Sequence, residues 1–270
     1  MKRKIAQSKY KKLNDRQWLY EHYIDKKLGT KKICKLAGAK TPNSVRQSLI
    51  RFNMPLRSIS EGLTCNREDD GFIFDQEILN GCLLGDGFLR SYNKKSDHSY
   101  PYFSKRNIHY DHVLFVADQI FSNNHEKRIQ ESSELFLGKY RTIFQLRTLS
   151  HKKLLRYFRE WYPPNKNYKK TIPDSLVLTP TVLLHWFLDD GCSYRRKRKT
   201  RQIIITFCSE CFSLQEQNKI QEQFQSRFGI KTWLHETKSG HRIEMSQSYA
   251  DKFYNVVGRC PVPSMAYKWK

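Results

Sequence analysis

Leu79-Asn80-Gly81-Cys82-Leu83-Leu84-Gly85-Asp86-Gly87 and Leu183-Leu184-His185-Trp186-Phe187-Leu188-Asp189-Asp190-Gly191 are two copies of one pattern, an apolar helix that runs into Asp-Gly. Thr179-Pro180 precedes the second copy as an N-cap followed by proline at the first helical position. The closing glycines predict left-handed C-terminal caps. The aspartates are the anomaly. An acid in the last turn faces the negative end of the helix dipole, a placement unfavourable by roughly 0.3–1 kcal/mol. Asp86 and Asp190 repeat it 104 residues apart, which calls for a cation near both helix ends. Gly81 and Gly85, four residues apart, clear one face of the first helix for close backbone approach. The second helix carries His185 and Asp189 at the matching places, while Cys82 and Trp186 share a position that reads as core.

Working outward, each pattern opens a longer unit. The first predicts a helix over 75–86, strands near 88–92 and 100–104, a helix near 111–121, strands near 127–136 and 140–148, and a helix near 151–161. The second predicts a helix over 181–190, strands near 193–196 and 202–207, a helix over 213–228, strands near 231–235 and 242–245, and a helix over 249–257. Helices and strands segregate within each copy, so the class is α+β, with repeats at 75–178 and 179–270.

Residues 1–14 read as a Lys-rich, frayed leader, and 57–74 as a linker. Between them, 15–56 predicts a small helical domain. Asp15 caps a helix bearing Trp18, Leu19, Tyr23 and Ile24; Thr30 caps a short second helix that Gly38 ends; Thr41-Pro42 opens a third through Val45, Leu49 and Ile50. Two short helices joined by a Gly-containing turn are a helix-turn-helix pattern. It would aim Asn43, Ser44, Arg46 and Gln47 at the DNA major groove.

The charge agrees with such a partner. Lys and Arg number 49 against 26 Asp and Glu, a formal charge of +23. That field draws polyanions, and without a run approaching the roughly 20 apolar residues of a spanning helix the expected polyanion is nucleic acid, not a membrane. Seven scattered cysteines, with no export signal, fit reduced thiols inside a cell. Cys208-Ser-Glu-Cys211 has zinc-like spacing, but no second pair in the sequence completes four ligands.

The motif pair and the elements after it resemble the LAGLIDADG homing endonucleases, in the branch whose motifs read like LLLGDG and WFxDDG. The resemblance covers roughly residues 75–270. It implies motif helices packed side by side, two saddle-shaped sheets over DNA, and magnesium held at the scissile phosphates by Asp86 and Asp190, with Gly85 and Asp189 beside them. Asp189 would assist at the metal, or be solvated, or pair with an arginine. The family also places a lysine after the last helix of each repeat, which Lys170 and Lys268 match here. The run after the second motif, Arg195, Arg196, Lys197 and Arg198, and the strand residues Lys105 and Arg106 would lie against DNA.

Phosphodiester hydrolysis needs an activated water and a stabilised leaving oxygen, and carboxylate-held Mg²⁺ supplies both. Two acids plus phosphates and waters suffice as ligands. The expected protein is therefore a monomeric double-strand DNA endonuclease acting on a long, pseudo-palindromic or asymmetric site. An intron RNA maturase, with RNA as partner, and a non-catalytic transcription regulator use the same scaffold. Loss of the two acids would mark the regulator, and both are present. A basic structural or ribosome-associated protein would leave the doubled Asp-Gly helices without a role.

Overall fold

The computed structural model describes residues 7–57, 71–97, 99–122, 125–195 and 202–269. The chain divides into an N-terminal unit, to which the segment Ser96–Tyr100 also belongs, and a larger unit of residues 70–95 and 101–270.

The N-terminal unit holds α1 (Arg16–Tyr20), continued by a wider turn over Glu21–Asp25, then α2 (Thr30–Leu36) and α3 (Pro42–Arg51). Asp15 caps α1 by accepting the Trp18 N–H. Thr30 is instead the first helical residue of α2, with Gly29 at the cap position. Gly38, at φ +65°, turns the chain between α2 and α3. Leu13, Leu19, Tyr23, Ile33, Cys34, Val45, Leu49 and Met54 form the core. The expected frayed leader is corrected in its last residues. Lys11–Asn14 form a 3₁₀ turn that buries Leu13, and Arg51 donates to Leu13 O at 2.7 Å.

In the larger unit the first repeat runs α4 (Gln76–Leu84), β1 (Phe88–Arg90), β2 (Tyr102–Asn107), α5 (Tyr110–Ile120), β3 (Ile129–Phe136), β4 (Lys139–Arg147) and α6 (Leu154–Trp161). The second runs α7 (Pro180–Asp190), β5 (Gly191–Arg195), β6 (Ile203–Phe207), α8 (Leu214–Phe228), β7 (Trp233–Thr237), β8 (Gly240–Met245) and α9 (Gln247–Val257). Both sheets are antiparallel, with orders β1-β2-β4-β3 and β5-β6-β8-β7. Identical order in both confirms the doubled unit. Caps fix the starts: Asp75 accepts the Glu77 and Ile78 N–H groups, Thr179 accepts that of Val182, and Ser213 with Glu216 forms a capping box on α8.

One core runs through both repeats, with Leu79, Cys82 and Leu83 of α4 and Val182, Leu183, Trp186 and Phe187 of α7 inside it. Trp186 lies 4.4 Å, ring to ring, from Phe207. The motif helices pack against each other through the face that Gly81 and Gly85 leave clear. A Cβ on Gly81 would lie 2.5 Å from His185 Cβ, and one on Gly85 would lie 2.3 Å from Asp189 Cβ. A bulky residue of one motif thus fills the space left by a glycine of the other.

The left-handed caps do not form. Neither Gly87 nor Gly191 has a positive φ, and Gly191 is extended at φ −76°. Space is what these glycines provide. A Cβ would meet the Cys82 carbonyl oxygen at 2.7 Å from Gly87 and the Phe187 ring at 2.0 Å from Gly191. No helix among the described residues is long and apolar enough to cross a membrane.

Candidate active site at the paired helix ends

The motif helices deliver Asp86 and Asp190 to one neighbourhood by different routes. α7 continues through Asp190, whereas α4 stops at Leu84 and Asp86 stands two residues beyond it. Asp86 is exposed and Asp190 half-buried. Burial, reinforced by the nearby Asp86 and Asp189 carboxylates, pushes the Asp190 carboxyl up to about 7. Carboxylates crowded where two helices end form a centre of negative charge, and a cation relieves such a centre.

Part of that relief comes from the chain itself. Lys170 donates to Gly85 O at 2.8 Å and Gly87 O at 2.9 Å, at the end of α4. Lys268, in the 3₁₀ turn Pro263–Lys268, donates to Phe187 O at 3.1 Å, Leu188 O at 2.7 Å and Asp189 O at 2.9 Å, at the end of α7. Lys268 takes Leu188 O and Asp189 O in the last turn of α7 and Lys170 the carbonyls just past α4, and each puts a positive charge at a negative dipole end. Burial pulls both ammonium groups below their ordinary value, while the neighbouring aspartates oppose the shift. The two sites match, as the sequence repeat requires.

Asp189 and Lys105 depart from expectation. Asp189 is neither solvated nor paired with an arginine: its Oδ1 accepts from Lys105 Nζ, both side chains being fully buried. The expectation that Lys105 lies against DNA is therefore corrected. Its side chain points inward from β2, on the same face as the buried Phe103. Two-residue alternation from Phe103 was the available signal, and the charge of Lys105 obscured it. His112 Nε2 lies 3.4 Å from Asp189 Oδ1, and burial holds its ring neutral.

Of the other expected contacts, Arg106 is exposed on β2 and pairs with Glu134 at 3.2 Å, and Arg195 is exposed at the end of β5. Arg196, Lys197 and Arg198 lie outside the described residues. On α3, Asn43, Arg46 and Gln47 are exposed and Ser44 is half-buried, while Val45, Ser48 and Leu49 face the core. Among the described residues no three or more His, Cys, Asp or Glu side chains converge as a metal site; Cys208 and Cys211 form none.

Two acids, however, fit a hard divalent cation whose remaining ligands are water and phosphate. The fit rests on the two acids standing at the ends of the paired helices, with Asp86 exposed and Asp190 pushed up by burial first and by its carboxylate neighbours second. Asp189 is committed to Lys105, and Gly85 has only its backbone to offer, with its carbonyl already accepting from Lys170.

Comparison with known proteins agrees with the doubled fold. The chain is 25% identical over 199 residues to the probable intron-encoded endonuclease 1 of Wickerhamomyces canadensis, covering 72% of this chain and 82% of that one. It is 28% identical over 205 residues to the cytochrome b mRNA maturase bI2 of Saccharomyces cerevisiae, covering 71% of this chain and 46% of the maturase. The solved structure of the homing endonuclease I-WcaI bound to its DNA recognition sequence superposes with a TM-score of 0.60 at 21% identity, over 72% of this chain and 85% of that one. Residues 76–253, both repeats with their motif acids, match the LAGLIDADG DNA endonuclease family, and the chain belongs to it.

Proposed function

We propose that this protein is a site-specific double-strand DNA endonuclease that uses Mg²⁺ held by Asp86 and Asp190. The supporting observation is the pairing of these two acids at adjacent helix ends, with a lysine on the terminal carbonyls of each helix. The fold relative solved on its recognition sequence and the endonuclease named in Wickerhamomyces canadensis favour double-stranded DNA as the partner. A divalent cation bound there would activate water and stabilise the leaving oxygen.

The chain's own residues do the rest. Asp86 and Asp190 bind the cation and fix its place relative to the two strands. Lys170 and Lys268 hold the helix ends rigid and lend positive charge where phosphate negative charge builds. Arg106, Arg195 and the exposed face of α3 supply phosphate and base contacts, and the net charge of +23 supplies general attraction to the duplex. Two motifs in one chain serve both strands without a second copy.

Asp86→Asn and Asp190→Asn keep shape and remove a charged ligand. Double-strand cleavage of a selected target should fall by about 100-fold or more in Mg²⁺, with duplex binding in Ca²⁺ retained. Folded variants cutting at the wild-type rate would end this reading. The likeness to an mRNA maturase carries a second one, an RNA partner. Tight, specific binding of intron RNA by a wild-type chain that cuts no duplex would favour it.

A further inference from the structure

Asp189 makes two bonds at once. One carboxylate oxygen accepts from Lys105, and the other accepts the backbone N–H of Asp86 at 3.3 Å. The contact crosses between repeats and needs the glycine before Asp86, since a Cβ on Gly85 would lie 2.8 Å from Asp189 Oδ2.

Stability does not explain this pair. The strand register sets Phe88 opposite Ser104 and Cys192 opposite Thr206, so Lys105 occupies in the first repeat the place that Phe207 fills in the second. Phe207 is fully buried, which shows that the position accepts an apolar side chain. Replacing a buried ion pair by apolar groups of similar size is often neutral or stabilising. Among the described residues the pair occurs on one side of the pseudo-twofold.

That side is the one needing support. Asp190 is the last residue of α7, so the helix holds its backbone. Asp86 lies past the end of α4. We infer that Asp189, oriented by Lys105, is the positioning residue for Asp86: it fixes by a side-chain acceptor what the helix fixes for Asp190. This rests on the reading of Asp86 as a metal ligand.

The test compares two double variants on a target duplex labelled separately on each strand. Lys105→Met/Asp189→Leu removes the acceptor and leaves an apolar pair; Lys105→Met/Asp189→Asn removes the charges but keeps an oxygen for the Asp86 N–H. With thermal unfolding near wild type in both, the Leu variant should slow the strand most sensitive to Asp86→Asn by about 10-fold more than the other strand. It should also need more Ca²⁺ to half-saturate the DNA complex, while the Asn variant stays near wild type in strand balance and Ca²⁺ demand. Equal strand ratios in the two variants would overturn the inference. A separate readout needs no variant: in the full chain the Asp86 amide should exchange slowly with deuterium although the residue is exposed. Exchange at the rate of a free loop amide would overturn the inference too. If Asp86→Asn cuts normally while that amide is protected, the metal reading fails and the positional contact stands.

Discussion

Gly81 and His185, the same position in the two motifs, meet between the helices, so that a Cβ on Gly81 would lie 2.5 Å from His185 Cβ and 2.6 Å from Val182 O. One partner has no side chain because the other has a large one. The helix pair is complementary rather than symmetric.

Gly81→Ala tests that complementarity. Alanine gains about 1 kcal/mol in helix propensity. The added carbon meets backbone oxygen, which cannot rotate away, and overpacking of this kind costs typically 1–3 kcal/mol. The clash should win, and urea unfolding should show net loss of stability. A stabilised variant would mean that the helices have room to separate.

The lysines at the helix ends differ in how many carbonyls they serve. Lys268→Met strands Leu188 O and Asp189 O, since Phe187 O keeps the Gly191 N–H, and Lys170→Met strands Gly85 O and Gly87 O. A loss of about 2 kcal/mol is expected for each. Chemical denaturation gives both losses, and cleavage measured well below each midpoint should fall in both.

His185 predicts an acid-sensitive helix interface. Burial, with the Lys105 charge adding, lowers its pKa from 6.5 to about 3. Above pH 6.5 the ring is neutral in both folded and unfolded chains, and its contribution is fully present. As pH falls from 6.5 toward 3 the unfolded chain takes up a proton that the fold refuses, so stability is lost. Thermal unfolding across that window should decline less steeply in His185→Gln than in wild type; equal slopes would count against a buried neutral ring.

The α3 face predicts a longer footprint on DNA than the two repeats cover. Replacing Asn43, Arg46 and Gln47 with alanine leaves the buried Val45 and Leu49 untouched. Affinity should fall by about 10-fold or more, with protection lost at one end of the site. Each phosphate contact removed should flatten the dependence of log K on log salt by about 0.9. An unchanged footprint would assign this unit a role other than DNA reading.

Two-residue and helical periodicity, the caps at Asp15 and Thr179, and the doubled Asp-Gly were enough to read the α+β class, the repeat and the two acids, because each is a local rule that a short stretch states completely. The place of Asp189 was not local. Whether that carboxylate met water, arginine or metal depended on which side chain 84 residues earlier in the chain was buried beside it, and Lys105 carried no mark of burial except its parity with Phe103. Glycine roles divided in the same way. The sequence determined that glycine stands at 87 and 191, but only packing decided that it is there for room against Cys82 and Phe187 instead of for a left-handed turn. Helical and strand periodicity are written along the chain, whereas the company a charged side chain keeps is set by which helices and strands close over it.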